Sequence, residues 1–313
     1  VRPFTFLASI QAVLDGATLA AEARRAESMG FTALVVPDHL IEQLSPVPAL
    51  ATIAAATKRL RIGAFVHNND LRHPAVLAQD LASLDVLSNG RLDVAIGAGW
   101  RRVEYDAIGL PFDPAPVRQA RLREAVTVLK GCFGDEPFSF DGEHYTIREL
   151  DGYPKPVQRP HPPFFIGGGG RATLGLAGRE ADIVGLAPRV IGGERSDPLS
   201  ITLAATAEKI DWVREAAGPR FDQLVFNVYP STWPITITDD ARGEAAKVVE
   251  HLRGRRPTDL TEDEVLESPH VFIGSVNGLV EKLQMLRERL GISSFMLGDI
   301  DELAPVVERL AGT

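Results

Sequence analysis

Short apolar runs alternate with helical periodicities along the whole chain, which predicts parallel strands joined by crossover helices. Residues 4–9 read as the first strand, followed by a helix over about 16–29 that stops at Gly30. Strand two is expected at 33–37, a helix at 48–57 and strand three at 61–66. The third helix has the clearest signature. Pro74 stands where a first-turn proline is tolerated, Leu77, Leu81 and Leu84 recur on one face, and Asn89-Gly90 supplies residues that accept positive φ. Strand four follows at 92–96, and Leu122, Val126 and Leu129 share one face of its helix. The stretch 138–147, with Asp141-Gly142 at its centre, reads as a β-hairpin excursion. Strands five to seven are expected at 164–166, 183–187 and 224–229. Residues 230–270 are polar, helix-rich and too long for an ordinary connection, so they read as an insertion. Leu279, Leu283, Leu286 and Leu290 mark a helix before the last strand at 294–297, and a short helix over 301–310 closes the chain. Eight strands with intervening helices fit one closed (β/α)8 barrel over 1–313 better than an open doubly wound sheet.

Composition agrees with one large α/β domain: 313 residues, 45% hydrophobic, mean hydropathy near zero. A net charge of −9 argues against a nucleic-acid partner, which would need a basic face, but leaves anionic ligands open. Cys132 is the sole cysteine, so no internal disulfide can form and a reducing compartment fits. It lies in the apolar run 126–133 and reads as a buried structural thiol. No apolar run approaches the roughly 18 residues of a membrane span, and the opening residues lack the pattern of a secretory signal. A cytoplasmic protein with no membrane partner is expected.

In a parallel barrel the working residues follow the C-terminal ends of the strands. That rule selects Asp38 and His39 after strand two, where a histidine can exchange protons beside a carboxylate. A capping Asp38 with His39 as a surface loop residue is the competing reading. Gly167, Gly168, Gly169 and Gly170 stand between a strand and the helical run RATLGLAGR. They suit either a phosphate site, with Arg171 as charge partner, or a permissive turn. Gly97, Ala98 and Gly99 end strand four, but Arg102 stands where the last glycine of GxGxxG would fall, which disfavours a dinucleotide fold. Here the backbone can approach a flat ring, with Trp100 as a wall, or simply pack closely at a strand end. The run His67-Asn68-Asn69-Asp70 with Arg72 and His73 lacks metal-ligand spacing and reads as a hydrogen-bonding loop; no metal is expected. Paired carboxylates for a hydrolase could come only from Asp38, Glu104 and Asp106, and would leave the glycine loops unexplained.

The run GAFVHNNDLRHPAVLAQDLASLDVLSNGRLDVAIGAGW, residues 63–100, resembles the middle signature of the luciferase-like monooxygenases. AEARRAESMGFTALVVPDHL, PPFFIGGGGRATLGLAGREADIVGL and FIGSVNGLVEKLQMLRERLGISSFML are similar to the same superfamily in the same order. The Asp38-His39 pair and the LSNGRLDVAIGAGW block look most like the branch that uses the deazaflavin coenzyme F420. The resemblance implies a (β/α)8 barrel with an insertion near its C-terminal mouth, and hydride transfer between F420 and a small organic substrate. An FMN-dependent monooxygenase is the alternative, and a non-catalytic flavin-binding relative a further one. It also implies Asp38 beside the ring, His39 near the reactive face as the proton carrier, and a non-prolyl cis peptide at Phe65-Val66. Phe65, Val66 and Asn68 would border the ring. Gly97, Ala98 and Gly99 would line the ring or its ribityl chain, with the phosphate held by Gly167 to Gly170 and Arg171. Trp100 would line the substrate pocket, where sugar-phosphate dehydrogenases of this branch carry a glutamate. Substrate choice would fall to Trp100, the loop 188–198 and the insertion, and the working form would be a homodimer.

Overall fold

The computed structural model describes residues 1–191, 195–255 and 258–313. Residues 192–194 of the expected substrate loop, and 256–257 of the insertion, lie outside them. Two compact units are distinguished: residues 9–28 with 32–166, and residues 1–8, 29–31 and 167–313.

In the first unit, β2 (Ala33–Val36) pairs in parallel with β3 (Arg61–Ala64), in the register Val36 opposite Ala64. The strand is interrupted after β3, where the Phe65–Val66 peptide is cis, and strand pairing resumes as β4 (His67–Asn68). One continuous strand over 61–66 was expected, so the strand is both interrupted and longer in reach. β4 pairs in parallel with β5 (Val94–Gly97), which pairs with β6 (Phe164–Gly168). Every residue of β2 and β5 is buried, as befits parallel strands covered on both faces.

The helix Pro74–Leu87 forms as its periodicity predicts. Leu77, Leu81 and Leu84 are buried, the His73 side chain accepts the Ala75 N–H, and Asn89 and Gly90 follow with φ of 55° and 77°. The helix Ala115–Phe133 likewise buries Leu122, Val126, Leu129 and Cys132. A short helix, Arg102–Ile108, was not foreseen; it ends at Gly109, whose φ is 72°. The hairpin strands are Phe138–Asp141 and Thr146–Leu150, so the turn spans 142–145 rather than centring on Asp141-Gly142. The longer turn is held by Glu124, whose carboxylate accepts the N–H groups of Glu143, His144 and Tyr145.

In the second unit, β1 (Thr5–Ser9) pairs in parallel with β9 (Ile292–Met296), β9 with β8 (Val225–Val228), and β8 with β7 (Ile183–Leu186). Phe4, Phe6 and Phe295 pack with centroids 6.0–6.3 Å apart. The helix Val276–Leu290 buries Leu279, Leu283 and Leu286; Leu290 is only half-buried. The stretch 230–270 contains the helices Ala241–Arg255 and Glu262–Glu267, the latter opened by a Thr261/Glu264 capping box. It builds a small core of its own from Ala245, Val248, Leu252, Leu260 and Val265 with Ile201, Val271 and Ile273, which accounts for its length. Among the described residues no helix is long and apolar enough to cross a membrane.

Candidate active site

Asp38 lies just beyond β2, 5% exposed, with its carboxylate fully engaged. Arg72 donates to it through both guanidinium arms, Nη1 to Oδ2 at 2.6 Å and Nη2 to Oδ1 at 3.1 Å. The Asn68 N–H donates to Oδ2 at 3.0 Å, and His67 Nδ1 stands 3.7 Å away, an electrostatic contact rather than a hydrogen bond. Burial pushes the Asp38 carboxyl up, but His67 and Arg72 outweigh it and hold the group well below the usual carboxylate range. Asp38 is therefore a fixed anion that ties the end of β2 to β4. It does not suit the role of proton carrier.

His39 is different. Its Nδ1 lies 3.0 and 3.1 Å from the two oxygens of Glu104, a buried residue on the unforeseen helix Arg102–Ile108. A carboxylate can only accept, so Nδ1 carries the proton and Nε2 is left as the exchanging atom. Arg101 Nη1 donates to Glu104 Oε1 at 2.9 Å, and Trp100 meets the imidazole edge-on, 5.8 Å between centroids. Trp100 is itself half exposed, as a residue facing a ligand would be.

Beneath this pair lies a polar floor. Tyr105 is fully buried, and its hydroxyl stands 3.0 Å from both Asn68 Oδ1 and Asp70 Oδ2. Burial and the nearby Asp70 push that phenol up, so it stays a donor. Asp70 is paired with Arg121 Nη1 at 2.9 Å, and Arg121 also reaches Asp113. The Gly97–Gly99 segment is set against these groups. A Cβ on Gly97 would stand 2.7 Å from Val66 Cγ2, and one on Gly99, where φ is 72°, would run into the Tyr105 hydroxyl. Arg118 Nη1 donates to the carbonyls of Ala98 and Gly99. Both carbonyls point at one guanidinium, so by peptide planarity the N–H groups of Gly99 and Trp100 face the other way. Phe65 and Val66 are half-buried at the cis peptide, Phe65 edge-on to Phe165 at 5.3 Å. The structure thus brings Asp38, His39, Phe65, Val66, Asn68, Gly97, Ala98, Gly99 and Trp100 into one bonded neighbourhood. Glu104, Tyr105, Arg118 and Arg121 belong to it as well.

The tetraglycine lies in the other unit. Gly167 and Gly168 are the last residues of β6, so only Gly169 and Gly170 form the turn into the helix Arg171–Glu180. A Cβ on Gly169 would run into the Pro188 carbonyl, whereas one on Gly170 would meet nothing within 4 Å. Gly170 stands at the N-cap of this helix and, having no side chain, makes no side-chain cap bond. Arg171 is exposed and pairs with Glu215 at 2.5 Å, so its guanidinium is already held at the surface.

Comparison with known proteins bears on these features. The family model of the luciferase-like monooxygenases matches residues 6–209. An F420-dependent glucose-6-phosphate dehydrogenase from Microbacterium testaceum is 34% identical over 165 residues, 50% of this chain and 48% of that protein. An FMNH(2)-dependent dimethylsulfone monooxygenase from Pseudomonas putida is 36% identical over 152 residues, 49% of this chain and 41% of that protein. The chain thus spans about half the length of these curated relatives. Among solved structures, the coenzyme F420 dependent tetrahydromethanopterin reductase from Methanopyrus kandleri aligns with a TM-score of 0.75 at 20% identity, over 98% of this chain and 97% of that one. The fold is the (β/α)8 barrel of luciferase-like type expected from the strand and helix alternation. With the matching family model covering well over half of its length, the chain belongs to the luciferase-like monooxygenase family.

Proposed function

We propose that the protein is an oxidoreductase that uses coenzyme F420 to move a hydride to or from a small organic substrate, with His39 moving the accompanying proton. The observation that carries this reading is the His39–Glu104 pair: an imidazole with Nδ1 held by a buried carboxylate, leaving Nε2 as the exchanging atom beside a half-exposed indole. When bound, a deazaflavin supplies or takes up the hydride. The protein does the rest. Asp38, through the Asn68 N–H, fixes the strand ends on which the ring would lie, and Arg118 fixes the Gly97–Gly99 backbone that would approach it. Taken by itself, the helix that Gly170 opens without a side-chain cap would suit a phosphoryl group. His39 Nε2 gives or removes a proton at the substrate atom whose charge changes on hydride transfer. Asp38, a catalytic candidate by its place after strand two, is a positioning residue in this account.

FMN is the second reading, favoured by the 36% identical monooxygenase. Titration of the purified protein with F420 and with FMN, followed by absorbance and fluorescence, separates the two. Tighter binding of F420, and hydride exchange with at least one member of a panel of alcohols, ketones and enones, is the expected result. Tighter FMN binding with oxygen consumption would replace the proposal. Binding without any hydride exchange would leave only a flavin-binding relative. The reading extends to a cytoplasmic homodimer, which sedimentation of the purified protein checks for the oligomer.

A further inference from the structure

Asn68 ends the short strand β4, and its side chain is used on one side only. Oδ1 accepts the Asp70 N–H at 3.1 Å, which caps the 3-10 turn Asn69–Leu71, and lies 3.0 Å from the Tyr105 hydroxyl. A backbone N–H can only donate, so the atom facing Asp70 is the oxygen and the sense of the amide is fixed. Arg121 in turn holds the Asp70 carboxylate, and the Asn68 main chain is tied to Asp38. Nδ2 is left over. It has no partner among the described residues, although Asn68 is only 8% exposed, and it is not sealed from solvent. The N–H groups of Gly99 and Trp100, turned away from Arg118, have no partner there either. The glycine bend lies against the amide: a Cβ on Gly99 would stand 2.7 Å from Asn68 Oδ1. All of these groups belong to the first unit. A cap needs only the oxygen of its amide. A fixed amide nitrogen near two open backbone donors makes a set of donors whose acceptors no described residue supplies.

We propose that Asn68 recognises the dioxopyrimidine end of the bound ring, with Nδ2 donating to one of its carbonyl oxygens. This rests on the reading of the histidine corner as the seat of a deazaflavin or flavin ring. It deepens that reading by giving the ring a direction, carbonyl-bearing end toward Asn68 and benzenoid end away. That end alone carries several acceptors, two carbonyl oxygens and N1, which is what a set of donors can satisfy. It is the same in F420 and FMN, so the assignment holds for either. The Asp70 N–H and the Tyr105 hydroxyl matter because they keep the amide from turning its oxygen to the ring.

The test titrates F420 and FMN into the intact protein and records the infrared carbonyl bands of whichever ring binds. A donated hydrogen bond lowers a carbonyl band, so the wild type should hold at least one band below its position for the same ring in an aprotic solvent. Asn68→Asp keeps an oxygen for the Asp70 N–H and replaces the donor by an acceptor; Asn68→Ser keeps a cap but withdraws the side chain. Both should return that band to higher wavenumber. Affinity for the ring should fall about tenfold or more in Asn68→Asp and about three- to tenfold in Asn68→Ser. Bands that stay where they are in the variants would make Asn68 a cap and nothing else, even if affinity fell, and would overturn the inference. Wild-type bands at the aprotic position would overturn it too, whether or not the variants fold. If the wild type binds neither ring, the reading of the corner fails first and takes the inference with it.

Discussion

The histidine corner and the glycine turn are built on opposite plans. The corner is a network of side chains in which each buried charge has a partner: Asp38 with Arg72, Asp70 with Arg121, Glu104 with His39 and Arg101. The turn is backbone, shaped by missing side chains, with the buried Lys209 ammonium behind it that holds only carbonyls. A network of paired charges resists change and fixes atoms. A backbone turn braced by an ammonium that bonds to carbonyls is shaped by main-chain contacts instead. Chemistry that moves a proton needs the first, and recognition of an anionic tail needs the second.

The contrast can be broken at graded cost. His39→Ala should slow turnover by about 10²–10⁴-fold while leaving cofactor affinity nearly unchanged, as steady-state kinetics beside a binding titration would show. Unchanged turnover would remove the histidine from the reaction. Next comes Asp38→Ala, which strands Arg72 and should cost about 3 kcal/mol of stability in urea unfolding. The same carboxyl makes the acid arm specific. Because its folded value is depressed, its contribution is complete above the ordinary carboxylate value of about 4 and fades as pH falls toward the folded value. Asp38→Asn should therefore flatten the loss of stability below that pH; an unchanged acid arm would mean other carboxylates dominate it.

Glu104→Gln should be milder. It replaces a charge-assisted bond, typically about 1.5–3 kcal/mol, by a neutral one, so turnover should drop by about ten- to a hundredfold. Unchanged turnover would show that the reaction does not depend on the Glu104 carboxylate holding the imidazole. The smallest effects belong to the turn. Gly169→Ala must displace the Pro188 carbonyl and should cost about 1–3 kcal/mol, whereas Gly170→Ala meets open space and should stay within about 1 kcal/mol in the same unfolding assay. If the two variants unfold alike, the turn is looser than a cradle must be.

Much of this was legible in the chain because the signals were periodic or punctuated. The leucines at 77, 81 and 84, the Asn89-Gly90 stop and the strand ends carrying Asp38, Gly97 and Gly167 each announce a local backbone state that the barrel then enforces. What stayed hidden depends on contacts between segments far apart in sequence. Glu104 and Tyr105 sit on a helix of two turns with no apolar stripe, and nothing local separates a buried glutamate from a solvated one. Only its place in the segment directly after the Gly97–Gly99 strand end could have suggested that Glu104 shares the site. Lys209 was invisible for the same reason: on an amphipathic helix a lysine reads as surface, and its burial depends on a gap between two other loops. The two leading glycines were misjudged because glycine suggests a turn, whereas strand pairing carried β6 through them.

The helix Ala115–Phe133 links three of these stories. Arg118 and Arg121 reach the floor of the histidine corner, and six residues beyond Arg118 the Glu124 carboxylate holds the turn of the outlying hairpin. Because Glu124 grips only main-chain N–H groups, the anchor does not depend on which side chains stand at 143 and 144. The outer ribbon can thus be rewritten, by drift or by design, to meet new molecules while its root stays fastened to the rod that steadies the reaction centre.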